Sequence, residues 1–218
     1  MTNFDKSDVI LLCQYPEKEM FGIEPIEIRM ADYLTLKSEE FTNDTIVDFG
    51  LKVINKQYNS KGELFTFYSS FWPAITTAKT NIKDSFEHDQ NLSVSQKQHR
   101  RVHRYTKKVD LFAKKAIFFP ICESDHWYLL LVVNPELMNP NHDRKENTTI
   151  FVLNSLEKHG NTEKTLKIVK DYLSQEWSIK KNSKARQIDI GIAKVAQQPN
   201  SFDCGLFLLQ NTEIILQR

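Results

Sequence analysis

Three residues stand far apart in this sequence but at the same kind of place in it: His126 opens an apolar run, Asn154 closes the next one, and Cys204 begins a stretch of helical periodicity. Such residues at the ends of elements suit nucleophilic catalysis better than packing. At a helix N-terminus the unpaired backbone N–H groups and the positive dipole end stabilise a thiolate. Cys204 is therefore expected to ionise readily and to be alkylated before the other thiols. Gly205 beside it leaves room for a substrate backbone. A thiolate needs an imidazole to hold the ion pair and later protonate a leaving amine, and the imidazole needs a third group to orient it. His126 suits the first role. Asn154 suits the second, by accepting the Nδ1 proton on its side-chain carbonyl. Residue types alone do not single out this triad, because a Cys, a His and an Asn occur in almost any chain.

The elements that must position these groups are legible. Val9 to Leu12 reads as a short strand. Asn43 to Gln57 reads as a helix, with capping residues at 42–45 and an apolar stripe from Ile46 to Ile54. The aromatic segment Leu64–Trp72 reads as buried packing. Ala116–Ile121, Trp127–Val133 and Ile150–Leu153 read as buried strands of one sheet, with an exposed polar loop over Asn134–Asn147. Thr162–Glu176 reads as an amphipathic helix, Ile188–Val195 as a strand, and Cys204–Leu216 as a helix. This mixture indicates an α+β domain spanning 1–218.

With 218 residues the chain can bury roughly 70% of its unfolded surface in one core. Its 29 basic and 28 acidic residues give a net charge of +1, so no global field draws it to nucleic acid or membrane. Six Lys/Arg residues fall within Lys97–Lys108; this stretch reads as a solvated basic helix face, and a nucleic-acid role for it would show as steep salt dependence. No apolar run approaches a spanning helix, and Met1–Lys6 lacks the order of a signal peptide, so a soluble intracellular protein is expected. Cys13, Cys122 and Cys204 form neither a disulfide framework nor a zinc site. Cys13 and Cys122 lie in apolar stretches and read as small core hydrophobes. No metal or cofactor is expected.

The local strings narrow the chemistry. Asp125-His126-Trp127, then Leu153-Asn154-Ser155-Leu156, then Gln198-Pro199-Asn200-Ser201-Phe202-Asp203-Cys204-Gly205 resemble, in order and context, the signature of the SUMO-specific (Ulp/sentrin-specific) cysteine proteases. Phe41-Thr42-Asn43-Asp44-Thr45-Ile46 is similar to that family's first helix start, and Arg101 to Phe112 to the stretch before its first core strand. Asn91 to Phe112 and His126 to Leu129 are most similar to the branch that trims SUMO chains.

The resemblance implies a papain-like cysteine protease fold, a central mixed sheet flanked by helices with the catalytic Cys at a helix N-terminus. It implies that Cys204 attacks the carbonyl of a modifier's terminal glycine, with His126 as base and then acid. Gln198 and the Cys204 amide would serve the oxyanion. Trp127 and Phe41 would wall a slot for the Gly-Gly tail, and Asp44 would meet a basic side chain of the modifier or simply serve its own helix terminus. The implied partners are a SUMO-like modifier and its conjugates, bound by a monomer in the nucleus or cytoplasm, the nucleus favoured. Asn154 departs from the family's aspartate. Two alternatives stay open: a protease for Nedd8 or ubiquitin on the same fold, and a catalytically weak relative that binds the modifier.

Overall fold

The computed structural model describes residues 10–15, 25–78, 86, 88–156 and 160–217. Strands β1 (Leu11–Tyr15) and β2 (Ile26–Arg29) lead into helices α1 (Met30–Leu34) and α2 (Asp44–Tyr58). Then come β3 (Leu64–Thr66), α3 (Phe71–Thr76) and α4 (Val94–Val102). The C-terminal half carries β4 (Ala116–Glu123), β5 (His126–Val133), β6 (Thr148–Leu153), α5 (Thr162–Lys181), β7 (Ile188–Ile192) and α6 (Cys204–Leu216).

Strands β3 to β7 form one sheet in sequence order, while β1 and β2 pair separately. The sheet is mixed: β3–β4 and β6–β7 are parallel, and β4–β5 and β5–β6 antiparallel. β4 and β5 are apolar at nearly every position because helices cover both faces. On one face Phe119, Ile121, Tyr128 and Leu130 pack with Phe71 of α3 and with Tyr172 and Trp177 of α5. On the other, Phe118, Leu129 and Leu131 pack with Val47 and Leu51 of α2 and Leu208 of α6. This is the expected α+β architecture.

Two local features set the ends of the elements. Ser124 and Asp125 both take positive φ, 52° and 57°, the conformation of a two-residue hairpin turn matched to strand twist. The turn makes His126 the first residue of β5, opposite Glu123. α2 starts where its sequence indicates, with the Asn43 side chain accepting from the Ile46 N–H.

Several expectations change. Val9 lies outside the described residues, and the strand runs instead from Leu11 to Tyr15. The Asn134–Asn147 loop is not wholly exposed: Pro135–Met138 is a 3₁₀ turn whose Leu137 and Met138 are buried. Cys13 is exposed because β1 lies in the separate two-stranded pair, outside the main sheet, and Cys122, near the end of β4, is only half-buried. The basic stretch is not a wholly solvated face either. His99 is buried on α4 and stacks on Tyr172, its Nε2 donating to Glu176 Oε2 at 2.6 Å. Glu176 Oε1 takes Thr106 Oγ1 at 2.7 Å and Lys180 Nζ at 2.9 Å. Burial pushes the Glu176 carboxyl up, but the bonds from His99, Lys180 and Thr106 outweigh it and hold the group below its ordinary value. Among the described residues no helix is long and apolar enough to cross a membrane.

Candidate active site

The site gathers where the ends of β5 and β6 meet the start of α6. Cys204 is the first residue of that helix and is buried. The turn before it is held by Asn200, whose Oδ1 accepts from the N–H groups of Phe202 and Asp203 at 3.1 and 3.0 Å, while its Nδ2 donates to Asp203 Oδ2 at 2.7 Å. The backbone N–H groups of Trp127, Gly205 and Cys204 itself are directed at the sulfur. Burial nevertheless dominates and pushes the Cys204 thiol up. The expected readily ionised thiol is thus corrected: burial opposes ionisation in spite of these donors. Of the three thiols Cys13 is the exposed one, whereas Cys204 is buried.

His126 is 3% exposed, and its Nε2 lies 2.7 Å from Asn154 Oδ1. The same Oδ1 accepts the Leu156 backbone N–H at 3.0 Å. A backbone N–H can only donate, so the atom facing the ring is the amide oxygen, and His126 must carry its proton on Nε2. The basic lone pair is then on Nδ1. The expected arrangement of the two nitrogens, Nδ1–H on Asn154, is thus reversed. Only the ring's placement decides between them, because Asn154 is reached across 28 residues of chain.

Trp127 is buried and donates its Nε1 proton to Thr42 O at 2.9 Å, which ties the start of β5 to the segment before α2. A Cβ on Gly205 would come within 2.9 Å of Thr42 Cβ. The absent side chain at 205 therefore admits Thr42. Phe41 precedes this contact and is 50% exposed, and Asp44 is exposed in the first turn of α2.

Gln198 is buried against the end of β6, its backbone N–H donating to Ser155 O at 2.9 Å. Its neighbour Gln197 donates Nε2 to Asn154 O at 3.1 Å. Ser155 and Asn200 are structural partners for which the sequence indicates no role, and Thr42 reads there only as one of the capping residues. Their only signal was proximity to the assigned residues. The Lys97–Lys108 stretch is elsewhere, with α4 packed on α5.

The site thus combines a buried imidazole anchored on an amide oxygen with a buried thiol at a helix start, joined through the Trp127 N–H. On a mixed sheet with the cysteine opening a helix, this is the architecture of a papain-like cysteine protease. The chain belongs to the Ulp1 protease family: the sequence model of that family's C-terminal catalytic domain matches residues 40–218. Sentrin-specific protease 7 of Rattus norvegicus is 30% identical over 243 residues, covering 85% of this chain and 23% of the rat protein. Ubiquitin-like-specific protease 2 of Schizosaccharomyces pombe is 30% identical over 226 residues, covering 90% of this chain and 34% of that protein. The chain thus spans only a quarter to a third of these relatives. Among solved structures, a de-sumoylating protease superposes with a TM-score of 0.72 at 22% identity, over 89% of this chain and 70% of that one. The C-terminal Ulp1 protease domain in complex with Smt3, the yeast ortholog of SUMO, gives 0.63 at 24% identity, over 88% and 73%.

Proposed function

We propose that this chain is a thiol protease that hydrolyses the bond after the C-terminal Gly-Gly of a SUMO-like modifier, in deconjugation, chain trimming or precursor processing. The observation that carries the reading is the fixed His126 tautomer, Nε2–H on Asn154, at the head of the strand whose next residue, Trp127, directs its backbone N–H at the Cys204 sulfur. His126 Nδ1 takes the Cys204 thiol proton, and the sulfur attacks the carbonyl carbon of the terminal glycine. The oxyanion receives N–H groups from Cys204 and from Gln198 Nε2. The imidazolium returns the proton to the leaving amine, leaving a thioester. Water, deprotonated by His126, then releases the modifier's carboxylate and frees the thiol.

Trp127 and Phe41 flank the path of the tail, and the narrow Gly-Gly suits a slot between aromatic walls. Asp44 faces solvent at the α2 start, where a basic side chain of the modifier can reach it. The relatives' names and the Smt3 complex of the Ulp1 domain favour SUMO as the client and, with the trimming branch, the nucleus as the place of work.

Intact-mass analysis with C-terminal electrophile probes of SUMO, Nedd8 and ubiquitin tests this. The expected result is a SUMO adduct at Cys204 that Cys204→Ala abolishes. An adduct with Nedd8 or ubiquitin alone changes the client. SUMO binding without any adduct refutes the protease reading and leaves a modifier-binding relative.

A further inference from the structure

We infer that Ser155 is a positioning residue for the oxyanion donor, its hydroxyl holding the Gln198 amide so that nitrogen rather than oxygen is presented to the reacting carbonyl. This rests on the proposed roles of Cys204 and Gln198. A glutamine side chain has a donor end and an acceptor end of nearly equal size, and only the donor end stabilises a developing oxyanion. The wrong end repels it. Something must choose between them.

Ser155 holds Gln198 at two points. Its backbone carbonyl accepts the Gln198 N–H at 2.9 Å, and its Oγ–H donates to Gln198 Oε1 at 2.7 Å. On the other side, Gln198 Nε2 donates one hydrogen to Asn200 O at 2.7 Å. A backbone carbonyl can only accept, so it marks the nitrogen end, and Ser155 must then meet the oxygen end as a donor. The second Nε2 hydrogen is the one an oxyanion would receive. Gln198 is 7% exposed and Ser155 2%, so the protein's own groups, not water, set the amide's orientation. Ser155 also follows Asn154 directly. The end of β6 therefore supplies both the anchor of the imidazole and the anchor of the oxyanion donor, and Gln197 stitches the same two segments together through Asn154 O.

The test is a double-mutant cycle on a SUMO-linked substrate, reading kcat and KM for the parent, Ser155→Ala, Gln198→Ala and the double variant. Gln198→Ala is expected to lower kcat by about 10²- to 10³-fold, as for other oxyanion donors. Ser155→Ala is expected to lower kcat about 10-fold with KM unchanged, because the interaction acts in the transition state. In the Gln198→Ala background the same change should cost less than about twofold, since the two act as one unit. Ser155→Cys keeps the size but donates weakly; it should lose an intermediate amount, and it carries the test if Ser155→Ala unfolds. Parental kcat in both Ser155 variants overturns the inference, as does an equal loss with and without Gln198. A parent that forms no SUMO adduct, or a Gln198→Ala variant with parental kcat, instead overturns the underlying reading and takes the inference with it.

Discussion

Replacing Asn154 tests the imidazole anchor directly. Its Oδ1 lies 2.7 Å from His126 Nε2, and both residues are buried, at 7% and 3% exposure. When His126 takes the Cys204 proton, this bond becomes one from a cationic donor, worth about 1.5–3 kcal/mol. At about 1.4 kcal/mol per factor of ten, Asn154→Ala should lower kcat by roughly 10- to 150-fold. In a serine-protease triad, aspartate replaced by asparagine costs about 10⁴ through a wrong tautomer. That loss is not expected of the asparagine here, because the Leu156 N–H keeps its oxygen turned to the ring. Asn154→Asp retains both acceptor contacts and adds a charge. At an effective dielectric of about 20 the attraction for the imidazolium is up to about 4 kcal/mol at 4 Å, reduced by the cost of burying the carboxylate. Activity should hold or rise, and the alkaline limb of the pH–rate profile should move to higher pH. The assay is kcat/KM against pH for the three forms on one SUMO-linked substrate. An alanine variant matching the parent, or an aspartate variant weaker than it, refutes the reasoning. An inactive parent rescued by aspartate shows that a neutral carbonyl is too weak an anchor.

Two further predictions concern stability. Glu176→Ala leaves buried His99 without its carboxylate partner and removes the charge paired with Lys180, which keeps its bonds to Thr106 O and Val109 O, so it should cost about 3 kcal/mol by urea denaturation at neutral pH. The Glu176 carboxyl is held low in the folded state, so its contribution is present above its ordinary value and lost as pH falls through the folded one. The variant should accordingly lose less of its remaining stability on acidification, and a cost below about 1 kcal/mol would refute the ion-pair argument. Asp48 behaves oppositely. Burial pushes it from 3.8 up to about 6, against hydrogen bonds from the Ser69 N–H and hydroxyl. Its folded value lies above its unfolded one, so stability from this group is present below pH 3.8 and lost as pH rises through about 6. Asp48→Asn should raise neutral-pH stability by roughly 1–2 kcal/mol and flatten the dependence across that interval, and an unchanged pH profile would count against it.

The order of elements was readable from the chain because it depends on neighbours. Apolar runs of strand length mark β4, β5 and β6, a capping asparagine at 43 marks the start of α2, and the Asp-Cys-Gly string marks the start of α6. The choice of His126, Asn154, Gln198 and Cys204 as candidates likewise came from residue types at element ends and from local strings. What the chain alone did not decide are matters of distance between segments remote in sequence. Which nitrogen of His126 carries the proton depends on where β6 brings Asn154 and Leu156. Whether Cys204 ionises by itself depends on how deeply the fold buries it, and here desolvation outweighs three backbone donors. The burial of His99, in a stretch whose composition reads as solvated, depends on Glu176 of α5 standing 77 residues away. Helix and strand periodicity is written within a few residues, whereas a hydrogen bond of 2.7 Å across the fold requires the register of the whole sheet, which no local pattern records.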